Sequence, residues 1–409
     1  MSITPTNDEI LKARSGSGTV GGAWWGTVVL FLVHGLVVST WVSRIPDIQA
    51  GLRLTNGVLG LTLLSSALGA VTIIPFIGIA VSRFGSKPVV IASTGMFCML
   101  LPLLALAQDA LSLAILLLLY GAAAAAMDVS MNAQGVEVEK ALGKPTMSRF
   151  HGMFSLGGMA GAAIGGLVAA HAIHALPHFM VSAALNLALS TAVASLLLNV
   201  HESRVEKEHR LPLRNIPPVL LALSVIGFCI LLSEGAMADW TGVFLKQSLH
   251  AGAGTAAQGY AVFSACMAVF RFVGDWITTR LGPFRTVCAG SLVAACGLLW
   301  ALSTRSPQWA LPGFGLTGAG FSVIIPLVFG SGGRVKSISP GAGIATVTSI
   351  GYTGFIIGPP AIGFLSQLVT LRLALGLVVA CCLISAILAR YMRSLQGEVQ
   401  QECAAEITL

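Results

Sequence analysis

The segment Leu111–Gln134, LSLAILLLLYGAAAAAMDVSMNAQ, has 24 residues, of which only Asp128 is charged. A helix needs about 20 apolar residues to cross a hydrocarbon layer roughly 30 Å thick. The apolar residues run without alternation and are rich in Leu and Ala, which favours a helix over a strand of a membrane barrel. This segment is therefore predicted to be a membrane-spanning helix.

Eleven other segments share this length and character. In the whole chain of 409 residues, 10% are charged, 55% are apolar and the mean hydropathy is +0.86. A water-soluble domain could not place this composition at its surface. The twelve predicted helices lie at residues 22–43, 57–81, 88–107, 111–134, 149–172, 178–199, 216–245, 257–274, 285–303, 308–331, 340–367 and 371–392.

The second half of the chain repeats the first at an offset of 197 residues, which aligns Arg83 with Arg280 and Gly85 with Gly282. Five more glycines have a glycine at the same offset, namely Gly121 with Gly318, Gly135 with Gly332, Gly157 with Gly354, Gly161 with Gly358 and Gly166 with Gly363. Parallel six-helix repeats with a central site are typical of secondary transporters. We predict an all-α membrane protein of two six-helix bundles related by pseudo-two-fold symmetry.

The predicted domains follow from this repeat. They are an N-terminal tail at 1–21, a first bundle at 22–200, a polar linker at 201–215, a second bundle at 216–393 and a C-terminal tail at 394–409. If the N-terminus is cytoplasmic, 17 basic residues fall on the cytoplasmic side and 5 on the other, with Arg271 inside a helix. This bias predicts a multi-pass protein of the cell inner membrane with both termini, and hence the tails and linker, in the cytoplasm. It also explains the net charge of +7 without nucleic acid as a partner.

Small residues recur every four positions in the fifth and eleventh predicted helices, at Gly157, Gly161 and Gly165 and at Gly354 and Gly358. Such spacing lets helix backbones approach closely. One interpretation is packing alone. The other is that these smooth helices slide against the opposite bundle when the access side changes.

The loop Gly78-Ile-Ala-Val-Ser82-Arg83-Phe-Gly85-Ser-Lys87 resembles the signature between helices 2 and 3 of the major facilitator superfamily. The family has an acid where Ser82 stands, while the second-half counterpart keeps an acid, Asp275, before Arg280. The resemblance implies a cytoplasmic gate that latches the bundles. Its candidate residues are Arg83, Arg149, Arg271, Asp275 and Arg280, and chance charges at helix ends are the alternative.

Within this superfamily, the fourth helix looks like that of the fucose-permease branch of sugar–proton symporters. The resemblance rests on Asp128-Val-Ser-Met-Asn132-Ala-Gln-Gly135 and on Phe150-His151-Gly152-Met-Phe154-Ser155-Leu-Gly157. The acid that the branch carries on helix 1 has no match, because His34 is the only ionisable residue of that apolar run. The resemblance implies a small-molecule substrate and protons as the coupled ion.

An ionisable residue inside a membrane helix costs at least about 2.5 kcal/mol, so each one needs a partner, a watery cavity or a function. Asp128 is predicted to be the coupling proton site, and the alternative is a structural partner of Arg149 or His151. Glu234 and His34 are further proton-coupling candidates, although a satisfied core histidine is equally consistent with the sequence. The predicted substrate-binding residues are Asn132, His151, Asp239, Trp240, Tyr260 and Tyr352.

Glu234 and Asp239 are five positions apart, so their side chains differ by about 140° unless the helix breaks between them. A break at the intervening glycine and alanines would let both line a cavity. Otherwise Asp239 and Trp240 fit an outer gate or an aromatic belt, and Tyr260 and Tyr352 fit a belt or packing.

The sequence therefore predicts a monomeric secondary transporter of a sugar-like or other small polar solute, coupled to protons and working by alternating access. Proton-driven efflux of drugs or metabolites is the alternative within transport. A membrane sensor would move without transporting. A polytopic enzyme would need a clustered nucleophile, metal site or acid–base set, and the sequence has no such spacing. We expect no cofactor, metal or catalytic residue.

Overall fold

A computed structural model describes residues 20–144, 146–199, 216–335 and 338–393. The predicted linker and C-terminal tail lie outside these ranges, as does the N-terminal tail except residues 20 and 21, which begin the first helix. The described chain is almost entirely helical and has no strand. The apolar runs therefore satisfy their backbone groups within helices, as a hydrocarbon environment requires.

Eleven helical stretches are long and apolar enough to span a membrane. The stretch Ala253–Ser303 is two helices joined at Gly282, so the described residues form twelve spans. In chain order they are α1 Val20–Val42, α2 Asn56–Phe84, α3 Ser86–Leu104, α4 Ala110–Leu142, α5 Met147–Ala170, α6 Ala175–Val193, α7 Pro218–Ser248, α8 253–281, α9 283–303, α10 Pro307–Gly332, α11 Pro340–Leu368 and α12 Leu371–Tyr391. The predicted fold class is confirmed.

Two compact units divide the chain. The N-terminal unit comprises Met1–Val205 and Ala251–Ala261, and the C-terminal unit comprises Glu206–His250 and Val262–Leu409. Within the first, α1 packs on α5 and α2 on α4, and within the second α7 packs on α11. The beginning of α8 belongs to the N-terminal unit because Gly254 meets the backbone of Gly166 on α5.

The repeat seen in the sequence is also present in three dimensions. A Cβ atom on Gly121 would lie 2.0 Å from the carbonyl oxygen of Ser66, and one on Gly318 would lie 2.1 Å from that of Phe263. Ser66 and Phe263 are themselves related by the offset of 197. The α2–α4 contact of the first unit thus recurs as the α8–α10 contact of the second.

The loop glycines of the repeat share one backbone conformation. Gly85 has φ 86° and ψ 157°, and Gly282 has φ 78° and ψ 157°. Positive φ values in this region are open to glycine and costly for residues with a Cβ atom. Glycine at these two positions is therefore required by the turns between α2 and α3 and between α8 and α9.

The glycines of α5 and α11 pack inside their own units. A Cβ on Gly157 would lie 2.2 Å from the Leu32 carbonyl oxygen of α1, and one on Gly354 would lie 2.4 Å from that of Phe228 on α7. Gly161 and Gly358 likewise face α1 and α7. The interpretation of packing alone is supported for these glycines, and sliding of the two helices against the opposite bundle remains a prediction.

Candidate functional site

An acid and an amide share one face of α4 in the N-terminal unit. Nδ2 of Asn132 donates to the carboxylate oxygen Oδ1 of Asp128 at 3.2 Å and to its carbonyl oxygen at 2.9 Å. The two residues are one turn apart in Ala110–Leu142, so the predicted common face is confirmed. Both side chains are half-buried.

The Asp128 carboxylate has no basic partner within the described parts of the chain. The ion pairs found there involve other residues, and its one side-chain interaction is with neutral Asn132. Arg149 is exposed at the beginning of α5, and neither it nor His151 forms an ion pair with Asp128. The alternative role of Asp128 as a structural ion-pair partner therefore has no support in the geometry. A proton is the simplest means of neutralising a carboxylate placed in this way.

His34 lies in an aromatic cage next to α4. Its ring centroid is 5.4 Å from those of both Phe97 and Phe154, and only 7% of the residue is exposed. The backbone of Ala124, one turn before Asp128, approaches the ring, but neither ring nitrogen has a hydrogen bond of normal geometry to a described residue. A satisfied core histidine would have hydrogen-bond partners for its ring nitrogens, as buried polar atoms normally do. That interpretation of His34 is thus not supported.

His151 on α5 belongs to the same cluster. It interacts electrostatically with His34, and its ring meets that of Phe31 edge-on at a centroid distance of 5.2 Å. The hydroxyl of Ser155 donates to the His151 carbonyl oxygen at 3.3 Å. The N-terminal unit therefore gathers four of the predicted polar candidates, Asp128, Asn132, His34 and His151, on α1, α4 and α5.

The C-terminal unit has a second polar centre, made by α7, α8 and α10. Glu234 interacts electrostatically with Arg271, whose Nε donates to the carbonyl oxygen of Ser322 at 3.2 Å. Arg271 lies about 15 Å before the end of α8. Its hydrogen bond to Ser322 lies inside the C-terminal unit, and its predicted part in a gate remains a prediction.

Of the two alternatives for α7, the continuous helix is the one observed, and a helix break occurs in α10. Pro218–Ser248 is continuous, so Glu234 and Asp239 point in different directions. In α10, Pro307–Phe321 and Ile324–Gly332 are separated by Ser322 and Val323. The break leaves the Ser322 carbonyl oxygen free of a helical hydrogen bond, and Arg271 donates to it. Interrupted helices within membranes commonly offer backbone groups to a ligand or side chain in this way.

Asp239 and Trp240 have different environments. Trp240 is fully buried, with no hydrogen-bond partner for Nε1 in the described chain, which excludes a place in a lipid-facing aromatic belt. Asp239 is half-buried. Tyr260 is buried at the beginning of α8, while Tyr352 on α11 is 39% exposed and lies 6.1 Å from the Phe355 ring.

The predicted gate residues at the helix ends are exposed and pair with aromatic rings. The guanidinium of Arg83 lies 5.3 Å from the Phe84 ring centroid, and that of Arg280 lies 4.5 Å from the Trp276 ring. Asp275 is exposed one turn after Arg271. In the described chain, none of Arg83, Asp275 and Arg280 takes part in an ion pair, so the latch remains a prediction from the family resemblance.

A buried arginine forms a clamp that the sequence did not predict. Arg44, which is 3% exposed, donates to the Asp47 carboxylate at 2.8 Å, to the Ile173 carbonyl oxygen at 2.5 Å and to Nδ1 of His178 at 3.4 Å. It was counted only as a loop charge. The spacing of Arg44 and Asp47 gave a hint of pairing, but the contact with α6 could not be read from it.

Replacing Arg44 with alanine should destabilise the protein by roughly 3 kcal/mol, because it removes the three hydrogen bonds that this buried side chain donates, to Asp47, Ile173 and His178. Thermal unfolding of the purified protein in detergent measures the effect. Lys140→Ala is the matched control, because Lys140 also pairs with an acid three residues away, Glu137. The Lys140 side chain is 67% exposed. That change should cost less than about 1 kcal/mol. Equal costs for the two variants would show that Arg44 is not a clamp.

Known proteins resemble this chain along most of its length. The Major Facilitator Superfamily matches residues 23–335. An uncharacterized MFS-type transporter of Yersinia pestis is 35% identical over 367 residues, which cover 89% of this chain and 94% of that protein.

Two solved structures share the fold. A variant of the nucleoside transporter NupG superposes with a TM-score of 0.72 at 12% identity, covering 91% of this chain and 99% of that one. A variant of the E. coli fucose:proton symporter FucP has a TM-score of 0.59 at 17% identity, covering 90% and 97%.

Proposed function

Because this chain belongs to the Major Facilitator Superfamily, we propose that it is a secondary transporter that moves a small polar solute, sugar-like or of similar size, together with protons. Transport would proceed by alternating access between its two six-helix repeats. The proposal includes no enzymatic step and takes the protein to act as a monomer.

One observation carries the proposal of proton coupling. The Asp128 carboxylate is half-buried in a membrane helix, and its side-chain partner is the neutral amide of Asn132. A charged carboxylate in such a place is costly, whereas a protonated one is neutral and can also donate a hydrogen bond. Loading and release of a proton at Asp128 would therefore change the charge of the helix during each cycle.

The substrate class is supported by polar and aromatic groups of the N-terminal unit. Asn132 contacts this acid, and His34, whose ring nitrogens have no hydrogen bond to a described residue, lies beside the apolar ring of Phe154. Small-molecule sites in proteins commonly combine a few polar groups with aromatic walls. The structural neighbours named as nucleoside and fucose transporters are in keeping with such a solute.

We place the protein in the cell inner membrane with both termini in the cytoplasm. The 17 basic residues on one side against 5 on the other support this orientation. A reporter that is active only in the cytoplasm, fused to the C-terminus, would test it.

Proton entry into liposomes tests the proposed function. The purified protein would be reconstituted with a pH-sensitive dye inside, and fucose, uridine, an amino acid and a cationic drug would be added outside in turn. We expect the interior to acidify when a small polar solute is added. Proton release from the vesicles, or a response to the drug alone, would favour the alternative of proton-driven efflux. No proton movement with any compound would contradict the coupling.

A further inference from the structure

Three arginines gather at one end of the C-terminal unit, where α9 begins and α12 ends. The guanidinium of Arg393 lies 4.2 Å from the ring centroid of Phe284, so the end of α12 meets the turn between α8 and α9. Arg285 follows Phe284 directly, and Arg390 lies three residues before Arg393, about one helical turn away. We call Arg285, Arg390 and Arg393 the arginine cluster, and all three residues are exposed.

The arginine cluster has no acidic partner in the described parts of the chain. Neither of the two ion pairs found there includes these arginines, and none of the three side chains donates a hydrogen bond to a described residue. Arg390 lies 5.3 Å from the ring centroid of Tyr391, and Arg393 lies over Phe284. A ring attracts a guanidinium but supplies no negative charge. The positive charge of the cluster therefore remains available to an anion.

Each of the two helices carries an exposed apolar stripe that ends at one of these arginines. On α9 the stripe consists of Arg285, Ala289, Leu292, Cys296 and Leu299. On α12 it consists of Ala380, Leu383, Ile387 and Arg390. Steps of three or four residues keep each set on one face of its helix. Rows of exposed leucine and isoleucine suit lipid chains rather than a water-filled cavity. A phospholipid beside either stripe would bring its headgroup to an arginine at the helix end.

The N-terminal unit makes the same contact between turn and helix without the arginines. At the repeat offset Lys87 stands in place of Phe284, and its Nζ donates at 3.4 Å to the carbonyl oxygen of Ser195, just after α6. The positions equivalent to the three arginines hold Pro88, Val193 and Leu196. The contact therefore does not require arginine at these positions, and the cluster is a feature of the C-terminal unit alone.

We propose that the arginine cluster binds the phosphate of an anionic phospholipid whose acyl chains lie along the α9 and α12 stripes. Guanidinium groups bind phosphate oxygens through parallel N–H donors, which gives both strength and geometry. Phosphatidylethanolamine also carries a phosphate, but its ammonium group is repelled by the arginines. The site therefore prefers phosphatidylglycerol, which has no such group. It is separate from Asp128, so it does not depend on the proposed proton coupling.

Competition between two lipids tests this site. The purified full-length protein in detergent would receive equal amounts of phosphatidylglycerol and phosphatidylethanolamine with the same acyl chains, and native mass spectrometry would count the lipids retained. One arginine beside an anionic lipid is worth roughly fivefold in affinity, so wild type should prefer phosphatidylglycerol at least about fivefold. Arg285→Gln/Arg390→Gln/Arg393→Gln should lose most of this preference.

A second triple variant controls for net charge. Lys140→Gln/Lys144→Gln/Arg334→Gln removes the same charge from other exposed positions on the side that the proposed topology places in the cytoplasm, and it should keep the preference. If the cluster variant does not fold, Arg285→Gln alone should lower the preference at least about twofold, because this side chain has no described partner to lose. An equal loss in the control variant would overturn the proposal, since charge alone would then attract the lipid.

Two other occupants of the cluster are distinguished by further measurements. Inorganic phosphate in tenfold excess should leave the lipid bound, because it has no acyl chains, and displacement would overturn the proposal in favour of a free anion. The full-length variant Glu398→Gln/Glu402→Gln/Glu406→Gln neutralises the acids that follow the cluster in the sequence and should bind lipid as wild type does. Wild type without a preference would overturn the proposal, and a preference gained by this variant would assign the cluster to the C-terminal tail.

Discussion

An Asp128→Asn variant is expected to exchange substrate across a membrane but to accumulate none when a pH gradient is imposed. Asparagine keeps the size of the side chain and cannot bind the coupling proton. The neighbouring amide of Asn132 can still find a hydrogen-bond acceptor, because the new side chain retains a carbonyl oxygen. Substrate binding and the change of access side should therefore continue without the proton.

The size of the effect follows from the energy of the gradient. One proton moving through a difference of one pH unit releases about 1.4 kcal/mol, which is enough for about tenfold accumulation of a solute. Liposomes containing wild type should approach this ratio for the solute identified by the proton assay, and those containing Asp128→Asn should stay near equality. The measurement is uptake of labelled solute with and without an imposed gradient.

Asp109→Asn is the matched control for this experiment. Asp109 precedes the same helix, where its carboxylate accepts from the backbone N–H of Ser112 at 2.7 Å. That hydrogen bond lowers the pKa of Asp109, which is exposed and therefore remains charged at neutral pH. Asparagine caps helices as well as aspartate does, so accumulation should be unchanged. Gradient-driven accumulation by Asp128→Asn would show that another group carries the proton. Glu234 and His34 would be the next candidates.

Gly121→Ala should prevent the protein from reaching a stable folded state. The added methyl carbon would lie 2.0 Å from the Ser66 carbonyl oxygen, closer than any real contact of that kind. The obstacle is backbone within a helix, which cannot rotate away, so α2 and α4 would have to separate. Ordinary overpacking costs about 1–3 kcal/mol, and we expect this change to exceed that range. Gly318→Ala should behave in the same way, because Phe263 stands in the place of Ser66.

The same substitution at open positions provides the control. A Cβ atom on Gly95 of α3 or on Gly330 of α10 would meet no atom within 4 Å. Alanine is favoured over glycine in helices by up to about 1 kcal/mol, so these variants should be as stable as wild type or slightly more so. Size-exclusion profiles and melting temperatures in detergent distinguish the cases. A well-folded Gly121→Ala protein with an unchanged melting temperature would contradict the helix contact.

The features that the sequence determined are those that depend on local pattern. Long apolar runs specify membrane helices because a chain without water must pair its own backbone groups. The repeat at an offset of 197 could be recognised because both halves have the same residue type at turns and close contacts. Gly85 and Gly282, which both have positive φ, are one such pair. Asp128 and Asn132 could be assigned to one face because four residues nearly complete a helical turn.

The features that only the tertiary structure decided are those that depend on how each helix is rotated about its axis. A helix in lipid is apolar on every side, so its sequence has no polar stripe to show which face meets protein. For this reason the surroundings of His34, the partners of the α5 and α11 glycines and the electrostatic interaction of Glu234 with Arg271 could not be derived. The break in α10 and the Arg44 clamp were hidden for a related reason, since each depends on a partner that is distant in the chain. Ser322 is 51 residues from Arg271, and His178 is 134 residues from Arg44.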